Sequence, residues 1–350
     1  MTGEDLSRAV KGGDFFYDED FSGMDCRGVD FSGAIFNKIC FDNCDFTGAN
    51  LKEALFTECS LQNSILKDST LNETLFNNTD LSQADFQGIA TEFVKFIKCS
   101  MNGINFSGAR LSGMCVFIES CLEEAVFNKA DLDTAVFTTC SMKGSNFSQS
   151  HHFKTTFYQC EFEQTSFQGA TINLSLFHGA SLNGTDFSEM DLNQVQFRES
   201  SLNNCNFYKT QLKQGGFVQA SCKGSLFDEA LLELANFYEA ELTGSRFIKA
   251  DMRMVSMQNA ILNMSDFSSA NLYQAQLEGV QANDSLFKES DLTYADLSHA
   301  QIKNSSFSGA NLFMANLHMV RDEHTIWSGS NKALARGTDE KRLKSESWGI

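Results

Sequence analysis

Apolar side chains recur along this chain at every fifth residue. From Phe117 to Leu317 the rule is broken only at His152 and Ala282, and from Phe21 to Leu111 only at Thr91. A longer period of twenty lies on top of the five. Phe127, Phe147, Phe167, Phe187, Phe207, Phe227, Phe247, Phe267, Phe287 and Phe307 follow one another without a miss, and Phe106 and Phe86 continue the ladder backwards across one inserted residue. A second ladder runs Phe36, Phe56, Phe76, Phe96, Phe117, Phe137, Phe157, Phe177, Phe197, Phe217 and Phe237, then changes to Met257, Leu277, Leu297 and Leu317. An amphipathic helix repeats its apolar positions near every 3.6 residues and a strand every two, so neither accounts for twenty. A coil that closes every twenty residues, turning a corner every five, does. Self-similarity at a fixed period decides the architecture before local propensity is considered.

Two residues before each apolar centre stands a small side chain, and the residue between is often Asp or Asn. Ala49-Asn50-Leu51, Ala84-Asp85-Phe86, Ala270-Asn271-Leu272 and Ala310-Asn311-Leu312 are examples. This unit resembles that of the pentapeptide-repeat family, over about 60 consecutive copies. The resemblance implies an all-β solenoid: a right-handed, quadrilateral pentapeptide-repeat β-helix of about 15 coils, with the centre and the small residue pointing inward. At about 4.8 Å between stacked strands the stack would be roughly 70 Å long. Each buried Phe or Leu contributes roughly 1.5–3 kcal/mol, and the small partner is required because two large side chains per side would overfill the bore.

Composition fits. The chain of 350 residues contains no proline, which would remove a donor from the coil-to-coil ladder. A solenoid grows by addition, so this length is compatible with one domain. The net charge of −18 argues against nucleic-acid and anionic-membrane partners.

Residues 1–13 are expected to form an N-terminal helical cap. Thr2 and Asp5 stand at capping-box spacing, Leu6, Ala9 and Val10 share a face, and Gly12-Gly13 ends the helix. The segment lacks a basic start and an apolar core. No secretory signal peptide is therefore expected, and a cytoplasmic location is, with export by a specialised secretion system as the alternative. Residues 14–320 are assigned to the β-helix, with a one-residue phase slip between 111 and 117 read as a corner bulge, and residues 321–350 to a C-terminal capping tail. At Ser150-His151-His152-Phe153 a local bulge is expected to swing Phe153 inward and His152 out. No metal is expected there, because the axial neighbours of His152 are Leu132 and Ile172.

Of eleven cysteines, Cys44, Cys59, Cys99, Cys115, Cys140, Cys160 and Cys205 take the small inward position and Cys26 and Cys222 the centre. They read as apolar filler and as free thiols, although Cys140 and Cys160 are spaced to lie one above the other. No nucleophile with a base in reach, phosphate loop or cleft-building insertion is evident. The chain is therefore read as non-enzymatic, without cofactor or metal.

Function is then expected on the outward columns. The residue before each centre of the second ladder is apolar at Ile35, Leu55, Leu75, Val116, Val136 and Leu176, a candidate interaction strip for a protein partner or a second copy in a homodimer. The matching column of the next face carries an acidic stripe, Asp131, Asp191, Asp251 and Asp291, with Asp30 earlier. Three function classes follow: a protein-interaction scaffold acting through its outer faces, a DNA mimic, and a secretion accessory. The second is implied by the resemblance, since some family members mimic B-DNA, bind gyrase-type topoisomerases and protect against quinolones. DNA carries one charge per about 1.7 Å. The tail holds six basic and five acidic residues, so residues 1–320 carry −19, about half the density of DNA. The layout also resembles pentapeptide-repeat proteins associated with bacterial type VI secretion. The scaffold is favoured.

Overall fold

The computed structural model describes residues 1–349. The chain divides into two compact units, Met1–Ser181 and Leu182–Ile350.

The first unit opens with helix α1, Gly3–Gly12. Thr2 Oγ1 accepts the Asp5 N–H at 3.2 Å and Asp5 Oδ2 accepts the Thr2 N–H at 3.1 Å, a reciprocal capping box. Gly3, Leu6 and Ser7 are its buried residues. Helix and first coil approach so closely that a Cβ on Gly3 would lie 2.6 Å from the Asp25 carbonyl oxygen. Ser7 Oγ donates to the Asp30 carbonyl at 2.6 Å. The first coil's open edge is thereby covered.

Coils then stack in parallel, twenty residues apart. Phe31 N–H donates to Asn50 O and Asn50 N–H to Val29 O, at 2.8 and 2.9 Å. With few exceptions the centre and the small residue two before it are buried, while the other three positions are half-buried or exposed; His318 and Ser298 are buried outward positions. Corners come in two kinds. In a closed corner the centre's carbonyl accepts the N–H three residues on, as Phe21 O does from Met24 at 3.2 Å, with Gly23 at φ 71°. In the open kind the chain stays extended for three residues. Eight such strands, from Ile35–Asn37 to Leu176–His178, form one parallel sheet in the register Phe36↔Phe56↔Phe76↔Phe96.

The fold is the expected parallel β-solenoid, but the count of about 15 coils is corrected: the continuous sheet runs for eight strands, about seven turns. Apart from two further pairs, Ala90–Glu92 with Arg110–Ser112 and His151–Phe153 with Thr171–Asn173, a closed corner takes the chain out of β geometry after one residue, so coils are joined by single bridges such as Asp251↔Asn271. The buried rings of the open face stack nearly parallel, Phe76 on Phe96 at 5.2 Å and 5° and Phe117 on Phe137 at 4.4 Å and 9°.

The phase slip lies at a corner. Gly113 and Met114 are consecutive left-handed residues, at φ 67° and 60°, and Phe96 still stacks on Phe117 at 4.9 Å. Thr91 sits inward in the strand Ala90–Glu92, with its hydroxyl unpartnered.

His152 corrects the expected bulge. It is fully buried and Phe153 is exposed. The strand His151–Phe153 pairs in register with Thr171–Asn173, placing His152 opposite Ile172. Its Nε2 lies 2.7 Å from Ser150 Oγ, and the rings of Phe147, Phe157 and Phe167 surround it at 5.7–6.3 Å. A neutral imidazole with one hydrogen-bond partner fills the space of a Leu, so the chain had no need to distort.

In the second unit Phe187, Phe207, Phe227, Phe247, Phe267, Phe287 and Phe307 stack at centroid separations of 4.6 to 5.1 Å. The ladder has one further rung. Trp327 lies 4.7 Å above Phe307, and bridges reach Ile326 and Arg336, so the coil path passes residue 320 before the tail begins. Helix α2, Glu340–Glu346, follows with Asp339 as its N-cap. Among the described residues no helix is long and apolar enough to cross a membrane.

Candidate functional site

The small inward position does more than fill space. An open corner leaves the centre's carbonyl without its usual donor, and the small side chain of the next coil supplies one. Thr79 Oγ1 donates to Phe56 O at 3.2 Å, Cys99 Sγ to Phe76 O at 3.4 Å and Ser120 Oγ to Phe96 O at 3.4 Å; Cys140 and Cys160 do the same for Phe117 and Phe137 at 3.5 Å. Along the same column of the second unit the corners close, as Ala220 N–H to Phe217 O at 3.0 Å shows, and Ala220, Ala240 and Ala260 suffice. All eleven cysteines are free. Burial pushes the thiols of Cys59 and Cys115 up to about 11 and those of Cys99 and Cys205 up to about 12, so they are inert donors and not nucleophiles.

The Asp or Asn before the centre is likewise engaged. Its Oδ1 accepts the N–H two residues on: Asp80 from Ser82 at 2.9 Å, Asp191 from Asn193 at 3.1 Å, Asp266 from Ser268 at 2.9 Å. Asp131, Asp191, Asp251 and Asp291 all occupy this position. Asp131 also faces Arg110 at 3.6 Å, and Asp251 is held by Arg253 Nη2 at 2.7 Å. Asp291 accepts from Thr293 N–H and Asn311 Nδ2, both at 3.1 Å. Asp30 pairs with Lys11 of α1, and the hydrogen bond from that ammonium holds its carboxyl well below the usual range.

The apolar strip lies on the outer face of the eight-stranded sheet. Ile35, Leu55, Leu75, Lys95, Val116, Val136, Thr156 and Leu176 are in direct cross-strand register. Ile35 is 54 % exposed. Leu55, Leu75, Val116, Val136 and Leu176 are half-buried. Phe93, 43 % exposed, and Met114, 58 % exposed, stand at left-handed corners just before Lys95 and Val116. Glu73, Phe93 and Lys95 line a shallow hollow of about 430 Å³.

Two groups of titratable side chains went unnoticed in the sequence because each spans coils. Asp133 Oδ1 accepts the Phe153 N–H at 2.9 Å and lies 2.8 Å from His151 Nδ1, with Asp131 beside it. In the tail, buried His318 accepts the Asp339 N–H on Nδ1 at 3.0 Å, so its proton sits on Nε2, 3.1 Å from Glu346 Oε2. Arg342 Nε holds the other oxygen of Glu346 at 2.6 Å, and His299 Nε2 lies 3.4 Å from it. Hydrogen bonds from His318 and Arg342 lower the Glu346 carboxyl to about 2. With both nitrogens committed, His318 offers no lone pair to a metal. The group is a latch holding α2 against the coils.

A parallel β-solenoid with inward rings every twenty residues, small side chains two positions earlier and left-handed corners defines a class of repeat protein. Models of the pentapeptide repeats match residues 49–88, 115–151, 217–253, 255–288 and 290–321, a nine-copy pentapeptide-repeat model matches 21–65, and a pentapeptide repeat region model matches 152–227. Together these span more than half of the chain, which belongs to the pentapeptide-repeat family.

Solved structures similar to it include QnrB1, a plasmid-mediated fluoroquinolone resistance protein, at 19 % identity over 54 % of this chain and 93 % of that one, with a TM-score of 0.41. HetL of Nostoc sp. PCC 7120, involved in heterocyst differentiation regulation, is 16 % identical over 97 % of this chain and 98 % of its own, with a TM-score of 0.18. Rfr23 of Cyanothece 51142 is 15 % identical over 47 % and 91 %, with a TM-score of 0.12. A search of curated proteins returned no match.

Proposed function

We propose that this chain is a non-enzymatic scaffold that binds a protein partner through the outer face of its eight-stranded sheet. The observation that carries the reading is the strip from Ile35 to Leu176, in which Ile, Leu and Val occupy a position elsewhere given to a hydrogen-bonding Asp or Asn. Leu and Val there suit the extended strand, and together with Ile35 they present apolar surface, interrupted by Lys95 and Thr156, with Phe93 and Met114 beside it. The readable chemistry of the interior is structural: the thiols of Cys99, Cys140 and Cys160 are donors to open corners and His152 is core.

Affinity capture from the native host with the wild-type chain and with the triple variant Leu55→Glu, Leu75→Glu, Val136→Glu tests it. A stoichiometric partner retained by the wild type and lost by the variant is expected, with circular dichroism unchanged; equal capture by both rejects the reading. Light scattering on the same pair separates a second copy from a different partner. DNA mimicry is disfavoured because the stripe's carboxylates serve their own corners and two of them face arginines. A gyrase supercoiling assay with quinolone is expected to show no protection.

A further inference from the structure

The second unit carries a surface of a different kind. Among its described residues six bulky apolar side chains occupy left-handed corner positions, where L side chains are strained: Leu234, Met254, Met264, Tyr294, Met314 and Met319. Leu234, Met254, Tyr294 and Met314 stand at one corner of the coil, at multiples of twenty residues, and each is more than a third exposed. The same corner takes polar Gln214 and Gln274, so the backbone there does not require an apolar side chain. Around Tyr294 the ridge is aromatic. Tyr273 and Tyr294 meet edge-to-face at 5.9 Å and 88°, and Tyr294 and Phe313 at 5.9 Å and 81°. The buried ladder rings, by contrast, cover one another's faces in parallel stacks.

Charge completes the pattern. Two other rings of this unit carry a cation: Lys209 lies 5.0 Å over Tyr208 and Lys332 4.1 Å over Trp327. Among the described residues no lysine or arginine lies over Tyr273, Tyr294 or Phe313. Two carboxylates flank Tyr294 in sequence. Asp291 is held by Thr293 and Asn311, and Asp296 by Ser298 N–H at 2.8 Å and Asn316 Nδ2 at 2.9 Å. Neither has a salt bridge among the described residues; Arg342 acts on Asp296 only through longer-range attraction. Exposed rings with no cation over them, flanked in sequence by carboxylates without a salt bridge, select a cation tethered to an apolar stem.

We propose that the Leu234–Met314 ridge binds a basic, apolar peptide segment of a partner protein, with its arginine or lysine side chains over Tyr294 and Phe313 and against Asp291 and Asp296, and its apolar residues on Met254 and Met314. The surface is independent of the apolar strip, so either reading stands if the other fails.

The test is fluorescence anisotropy on the full-length chain at physiological salt. The probes are a labelled nonapeptide of alternating arginine and leucine, its glutamate-for-arginine counterpart and its serine-for-leucine counterpart. The arginine–leucine peptide binds and the other two bind more weakly. Each ring contact is worth roughly 2- to 30-fold in affinity, so Tyr294→Ala with Phe313→Ala lowers affinity at least fivefold. Tyr294→Phe, which keeps the ring and the fold, retains it. Asp291→Asn with Asp296→Asn weakens binding by more than Asp186→Asn with Asp191→Asn, which removes the same charge elsewhere. Equal losses from the two charge pairs would show attraction to net charge alone and overturn the proposal. So would equal binding of the glutamate peptide, or a wild-type dimer that Tyr294→Glu dissociates, which would assign the ridge to a second copy.

Discussion

His152 makes a quantitative prediction. It is fully buried, its Nδ1 has no partner, and burial lowers its pKa from 6.5 to about 3. Between those values the unfolded chain binds a proton that the folded chain refuses. Stability is therefore undisturbed by this residue above pH 6.5 and falls as the pH drops towards 3. At 1.36 kcal/mol per pH unit the penalty is about 0.1 kcal/mol at pH 7.5 and about 2 kcal/mol at pH 5. His152→Leu places a side chain of similar volume between Leu132 and Ile172 and removes the titration. It also removes the unpartnered nitrogen, a gain of about 1–3 kcal/mol at any pH, less the cost of leaving Ser150 Oγ with only the Phe147 carbonyl at 2.6 Å. The variant's advantage in urea unfolding, followed by circular dichroism, should accordingly grow by about 2 kcal/mol between pH 7.5 and pH 5. Every carboxylate in the chain titrates identically in both proteins, so the difference isolates His152. An advantage that is the same at both pH values would mean that the imidazole is not held neutral in the core, and the account of this coil would be wrong.

Two further outcomes are expected. Cys99→Ala should lower stability by about 1 kcal/mol by stranding the Phe76 carbonyl, while Cys99→Thr, which copies Thr79 one coil earlier, should be close to neutral in the same urea titration; equal losses would reduce the thiol to a space filler. Glu346→Gln weakens the latch on α2, so limited trypsin digestion after Arg342 and Lys344 should run faster than in the wild type, with the coil body intact; an unchanged rate would show that His318 and Arg342 do not hold the helix.

The ladders were legible because an inward position admits so little variety: a missed rung every twenty residues would open a void along the axis, and Phe187 through Phe307 have none. Trp327 obeyed the same count, exactly one period beyond Phe307, yet an indole beside polar residues does not read as a rung until its ring is seen covering the last Phe. His152 was misjudged for a physical reason. The expected bulge would have put a polar ring outside, whereas Ser150, two residues earlier at the small position, offers Nε2 a partner and allows the neutral ring to stay. The division into open and closed corners was also written in the chain, as Thr79, Cys99, Ser120, Cys140 and Cys160 in one column against Ala220, Ala240 and Ala260 in its continuation. Reading it requires knowing that these side chains face a carbonyl, which periodicity does not tell. The tail latch joins His318 to Glu346 across 28 residues of sequence and carried no local signal.

The same reasoning locates where a chain of this kind can carry information. Of five residues per side, the centre is committed to the axis and the small residue to the bore and the corner carbonyl. An Asp or Asn before the centre is committed to the N–H two residues on, and the corner residue must tolerate a left-handed backbone, which Gly does at least cost and Asn next. Departures from these assignments at the outward positions change the surface without changing the coil path. The two surfaces singled out are departures of this sort. In the first unit Ile35, Leu55, Leu75, Val116, Val136 and Leu176 give up the Asx hydrogen bond. In the second, Leu234, Met254, Tyr294 and Met314 accept corner strain without burial. Reverting either set to a residue the repeat uses elsewhere, Thr in the strip and Gly at the ridge, should therefore leave the coils folded while removing whatever binds there, the opposite of what a core position would do.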